Sequence, residues 1–155
     1  MNLTYYADSS VLVKRHVAET GSAWFINLAD PANSNAIVTA SLSVVEVISA
    51  FNRRKRAAGI SPADYATIVT DFLAVAHGEY RFIRLNRQVQ NQARRLLETY
   101  PLRAGDAVQL ASALVARNAL AAIHLANPIF LASDTRLLDA ARAEGFTVDD
   151  PLLHP

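Results

Sequence analysis

Five short strand-like stretches with helical spacing between them constrain this chain more than any other feature. Leu3 to Ala7, "NAIVTA", "YRFIRL", "PIFLAS" and "FTV" carry the β-branched and aromatic residues that suit strands. Between the first two lies a helical segment, then a second helix over Ser22–Ala29, where Trp24, Phe25 and Leu28 make an apolar face before Pro31. From Ser41 the helical pattern runs through Val44, Val47, Ile48 and Phe51 into "NRRKRAAG", with Gly59 expected as its C-cap. "SPADY" restarts a helix: Ser61 caps, Pro62 takes the first position, and Asp64 favours the N-terminal dipole. That helix is expected to end near Gly78. Two more follow the third strand, one from Arg87 to Thr99 and one starting near Asp106, and "TRLLDAARAE" follows the fourth. Strands separated by helices need crossover connections, so the expected fold is α/β, with a mainly parallel central sheet of about five strands flanked by helices.

Composition narrows the class. The 155 residues fit one domain, 1–155, large enough for a sizeable core. Hydrophobic residues make up 52% and charged ones 19%, which favours a well-buried interior. Fifteen Lys and Arg against fourteen Asp and Glu leave a formal charge of +1, so overall charge alone does not hold a nucleic acid. Without cysteine there is no disulfide, thiolate nucleophile or sulfur-ligated zinc. No basic n-region opens the chain, and no apolar run approaches the roughly 18 residues of a membrane span. The expected location is cytoplasmic, with no membrane association.

Four acids fall where chemistry collects in such a sheet. Asp8 in "TYYADSS" and Asp134 in "IFLASDT" each follow a strand directly and should emerge at the carboxyl edge. Glu46 lies early in the helix after the second strand, near that same edge, and Asp106 opens a later helix in "LRAGDAVQLASAL". Carboxylates gathered at one mouth repel one another unless cations are bound, and oxygen ligands select hard ions such as Mg²⁺ or Mn²⁺. Such ions serve phosphodiester hydrolysis by activating water and neutralising the attacking and leaving oxygens.

The order "ADSS", "SVVEV", "LRAGDAVQLASAL", "LASDTRLL" resembles the PIN domain over essentially the whole chain, and most of all the VapC toxins of bacterial toxin–antitoxin pairs. The resemblance implies a Mg²⁺- or Mn²⁺-dependent endoribonuclease that cleaves an RNA substrate, forms a homodimer and is silenced by a cognate antitoxin. Asp8, Glu46, Asp106 and Asp134 match its four catalytic, metal-binding acids, and Ser9 matches the hydroxyl residue that follows the first. Where the family often has Thr two positions before the last acid, this chain has Ala132, with Ser133 adjoining the acid as the accessory hydroxyl.

Structural roles compete for the same residues. Ser43 and Glu46 have capping-box spacing, Asp106 suits a helix N-terminus, and Asp134 suits an N-cap, whereas an acid at Asp8 has no evident structural duty. His16, His77, His124 and His154 show no ligand spacing and read as surface or packing residues; Asp149 and Asp150 beside Pro151 read as turn residues; and Tyr5, Tyr6 and Trp24 read as core. Arg53 lies seven residues beyond Glu46, on nearly the same helix face about 10 Å further along, and Arg103 precedes Asp106 by about one turn. Either can contact RNA phosphate or an acidic antitoxin segment, although the run Arg53–Arg56 also suits a helix C-terminus. Two rivals remain: a haloacid-dehalogenase-like phosphatase built on Asp8, Thr39, Lys55 and Asp134, and a catalytically silent binding module with the same fold.

Overall fold

Tyr6 and Ala7 have no solvent exposure, which already places the first strand in the middle of the molecule. The computed structural model describes residues 2–155. Strand β1 (Thr4–Ala7) leads through the short helix α1 (Ser9–Val13) and α2 (Ser22–Leu28) to β2 (Ala36–Ala40). Helices α3 (Leu42–Arg56) and α4 (Pro62–Glu79) precede β3 (Tyr80–Ile83), and α5 (Arg87–Thr99) and α6 (Ala104–Ala122) precede β4 (Ile129–Leu131). Helix α7 (Thr135–Ala143), β5 (Val148–Asp149) and a terminal 3-10 turn at Pro151–Leu153 complete the chain. The five strands form one sheet in the order β3-β2-β1-β4-β5, parallel throughout.

The strand order follows from the chain's connections. β1 pairs with β2 on one side (Tyr5 opposite Ile37) and with β4 on the other (Tyr5 opposite Ile129), so succession along the chain reverses at β1. In an open α/β sheet that reversal opens a crevice beyond the carboxyl ends of the central strands. Apolar residues bury on both sheet faces. One core gathers Tyr6, Leu96, Leu110, Phe130 and Leu137 under α5, α6 and α7; the other gathers Leu12, Phe25, Phe51 and Phe72 under α1, α2, α3 and α4. Phe51 and Phe72 meet edge to face at 5.9 Å and fix α3 against α4.

One expected helix cap differs from that observed. α3 ends in a Schellman motif: Gly59 N–H bonds Arg54 C=O and Ala58 N–H bonds Lys55 C=O. The left-handed residue there is Ala58 (φ 58°), and Gly59 comes one position later. α4 ends near Gly78 as expected, running to Glu79 and passing directly into β3. α6 begins at Ala104, near Asp106 as expected, and holds that acid in its first turn. Gly145 (φ 88°) closes α7, Phe146 N–H reaching back to Ala141 C=O. Gly21 (φ 86°) precedes α2 and leaves room for the C-terminal turn: a Cβ there would lie 2.3 Å from Pro151 O.

Candidate active site

Asp8 is the residue immediately after β1, and it is only 6% exposed. Its side chain caps α1, Oδ1 accepting from Val11 N–H at 3.2 Å and from Ser10 Oγ at 2.6 Å. The acid therefore does have a structural duty, contrary to expectation. Burial pushes its carboxyl up to about 7, and the nearby charges of Glu46 and Asp106 add to the rise against the lowering effect of its two hydrogen bonds.

Glu46 lies in the second turn of α3, but no capping box forms. The helix N-cap is Ser41, whose side chain makes no cap bond, and Ser43 turns its hydroxyl inward to Thr39 Oγ1 at 2.7 Å. Glu46 Oε2 instead accepts from Gln109 Nε2 at 2.6 Å. Gln109, buried on α6, also donates to Ser43 Oγ at 2.9 Å, and its Oε1 accepts from Tyr6 OH at 2.8 Å. Burial holds the Tyr6 phenol well above its ordinary titration range, so that hydroxyl keeps its proton and donates.

Asp106 is half-buried in the first turn of α6. Its carboxyl is raised by desolvation first and by the charges of Asp134 and Glu46 next, while a backbone hydrogen bond and Arg103 oppose the shift. Asp134 is exposed and caps α7, Oδ1 accepting from Leu137 N–H at 3.0 Å, as its position after the strand suggests. Ser133 Oγ beside it is buried without a hydrogen-bond partner. One open cleft is lined by Ser9, Glu46, Arg53, Arg103 and Asp106, and an adjoining one by Arg103, Asp106, Asp134 and Arg136. Asp106 and Arg103 border both, so Glu46, Asp106 and Asp134 share one face of the molecule, while buried Asp8 lies behind Ser9 and lines neither cleft.

The donor set suits a hard divalent cation: burial first and neighbouring acids next raise the carboxyls of Asp8 and Asp106, and none of the four acids forms an ion pair with Lys or Arg among the described residues. Their convergence is looser than the sequence suggests. Among the described residues no three acids or histidines come close enough to form a ready-made metal cage.

The phosphatase set is not assembled. Lys55 lies over the Tyr65 ring at 4.1 Å, and Thr39 is fully buried, donating to Ala7 C=O at 2.7 Å. Tyr6 is core as expected, while Trp24 is half-buried and stacks on His154 at 4.2 Å. His16 packs edge-on against Phe72. Asp149 lies in β5 and pairs with His154 rather than forming a turn, and Asp150 caps the terminal 3-10 turn. Sequence reasoning missed Gln109 and Arg136. The signal for Gln109 was a polar residue at a buried helical position, one residue before Leu110; Arg136, two residues after Asp134, carried none.

A parallel α/β sheet with Glu46, Asp106 and Asp134 lining clefts beyond the carboxyl ends of its central strands has its acids where such sheets bind ligands. The PIN domain family model matches residues 5–143, and the chain belongs to that family. No curated protein matches the sequence. Among solved structures, the fold is similar to VapBC2 from Rickettsia felis bound to a promoter DNA fragment, with a TM-score of 0.64 and 11% identity over 96% of this chain and 98% of that one. A toxin–antitoxin complex from Klebsiella pneumoniae aligns with a TM-score of 0.61 and 16% identity, covering 95% of this chain and 97% of that one. PAE2754 from Pyrobaculum aerophilum aligns with a TM-score of 0.63 and 16% identity, covering 96% and 84%. At these identities the likeness is one of fold. No helix among the described residues is long and apolar enough to cross a membrane.

Proposed function

We propose that this protein is a Mg²⁺- or Mn²⁺-dependent endoribonuclease and the toxin of a toxin–antitoxin pair. The observation that carries the proposal is four carboxylates toward the carboxyl edge of the sheet: Asp8 directly after β1, and Glu46, Asp106 and Asp134 lining two adjoining clefts, none of them in an ion pair with Lys or Arg among the described residues. Toxin–antitoxin complexes among the proteins of like fold support the partner, a cognate antitoxin. A homodimer is part of the same proposal.

Asp8, Glu46, Asp106 and Asp134 would hold the ion. When bound, a divalent ion supplies a water of lowered pKa and neutralises charge on the phosphodiester. Asp8, buried and held through Oδ1 by Ser10 and Val11, would offer an oxygen fixed at the end of β1, while exposed Asp134 would offer one from the start of α7. Arg53, Arg103 and Arg136 line the two clefts, and none of them forms an ion pair among the described residues, so their charges are free to attract RNA phosphates. The test is cleavage of total cellular RNA by the purified chain with Mn²⁺ or Mg²⁺. The wild type should cut, and Asp8→Asn should lose cleavage while keeping its far-ultraviolet circular dichroism. An Asp8→Asn protein as active as the wild type would rule the proposal out.

A further inference from the structure

The geometry points to Gln109 as a positioning residue: it fixes the Glu46 carboxylate and, through Ser43 and Thr39, ties it to the backbone that carries Asp8. The inference rests on the nuclease function proposed above. Its support is a chain of hydrogen bonds in which every proton has only one place to go. Thr39 Oγ1 donates to Ala7 C=O at 2.7 Å, so in its 2.7 Å contact with Ser43 Oγ it must accept. Ser43 has then spent its proton and accepts from Gln109 Nε2 at 2.9 Å. The second proton of that amide goes to Glu46 Oε2 at 2.6 Å, and the amide oxygen is occupied by Tyr6 OH at 2.8 Å.

Nothing in this network is left to rotate. The amide cannot flip, because a flip would set its oxygen against the Glu46 carboxylate and its NH₂ against a hydroxyl that donates. Thr39, Ser43 and Gln109 are each no more than 2% exposed, so water does not compete for these bonds. The four side chains come from β1, β2, α3 and α6, the elements that place Asp8, Glu46 and Asp106. Residues that orient a ligand through its second oxygen set ligand affinity without touching the ion. Ala7, whose carbonyl anchors the far end, immediately precedes Asp8. The network therefore sets the spacing between the first two acids.

The experiment pairs Mn²⁺ titration calorimetry with side-chain amide exchange of Gln109 by NMR, both on the full chain. Gln109→Met keeps length and apolar bulk but removes the amide; it should weaken Mn²⁺ binding by about 10-fold to 100-fold. Tyr6→Phe leaves the bond to Glu46 in place and should weaken it less, which keeps the inference testable if Gln109→Met does not fold. The Gln109 amide protons should exchange slowly in the wild type and faster in Glu46→Met. Unchanged Mn²⁺ affinity in a folded Gln109→Met, or a larger loss in Tyr6→Phe, would overturn the positioning role. If the wild type binds no Mn²⁺, the nuclease proposal fails, and the exchange measurement alone decides: equal exchange in the wild type and Glu46→Met overturns the role, faster exchange in the variant upholds it.

Discussion

Gly105 leaves open the space that Glu46 occupies: a Cβ on Gly105 would lie 2.7 Å from Glu46 Oε1. The other oxygen of that carboxylate is held by Gln109, so the group cannot swing away without losing a short hydrogen bond. Gly105→Ala should therefore separate activity from stability. Alanine favours the first turn of α6 by up to about 1 kcal/mol over glycine, while the displaced carboxylate weakens Mn²⁺ binding and RNA cleavage. Calorimetry and a cleavage assay on one preparation read both effects; full activity in a folded Gly105→Ala would show that Glu46 tolerates displacement.

Asp8 gives the metal-free protein a stability that depends on pH with a definite sign. Its carboxyl titrates at about 7 when folded, against about 4 in an unfolded chain. Between those values the folded state holds a proton that the unfolded state has released, so stability falls as pH rises through the window. Asp106 is raised as well and acts in the same direction. Denaturant unfolding in chelator at pH 5 and pH 8 should show the decline. Asp8→Asn should flatten it and leave the variant more stable than wild type at pH 8 by on the order of 2 kcal/mol. Adding Mn²⁺, which favours the ionised acid, should release protons and restore the wild type; a wild type that grows more stable from pH 5 to 8 without metal would contradict the burial assigned to Asp8.

Arg53, Arg103 and Arg136 bracket the acids across the two clefts. Replacing all three by Ala should raise KM for RNA more than it lowers kcat. The dependence of log affinity on log salt should become shallower by about 0.7 for each arginine that meets a single-stranded phosphate. An unchanged salt slope in the triple variant would move RNA binding to another surface.

Ala58 holds a left-handed conformation at the end of α3 where glycine is unstrained. Ala58→Gly should raise stability in urea by about 0.5–1 kcal/mol, because relief of strain outweighs the added freedom of the unfolded chain. A midpoint lowered in Ala58→Gly would mean that the backbone there is relaxed.

How much of this was legible in the sequence depended on whether a signal was local. The strands could be read because their side chains alternate or cluster within a few residues, and Asp134 could be read both as an acid after a strand and as a cap because both roles are set by its neighbours. The Ser43–Glu46 pair was ambiguous for the opposite reason. Its spacing fits a cap, but Thr39 and Gln109, brought in by β2 and α6, take up the hydroxyl and the carboxylate. Gly59 misled by one position because Ala58 accepts strain that local preference assigns to glycine. How far apart the four acids stand depends on the packing of α3, α6 and α7, which no local pattern encodes.

β1 is made first yet is flanked on one side by β4, one of the last strands to be made. A chain still on the ribosome consequently has an open flank at its central strand, and Asp134 is the last of its four acids to emerge. The four acids are therefore brought together only once β4 has been made and has docked beside β1.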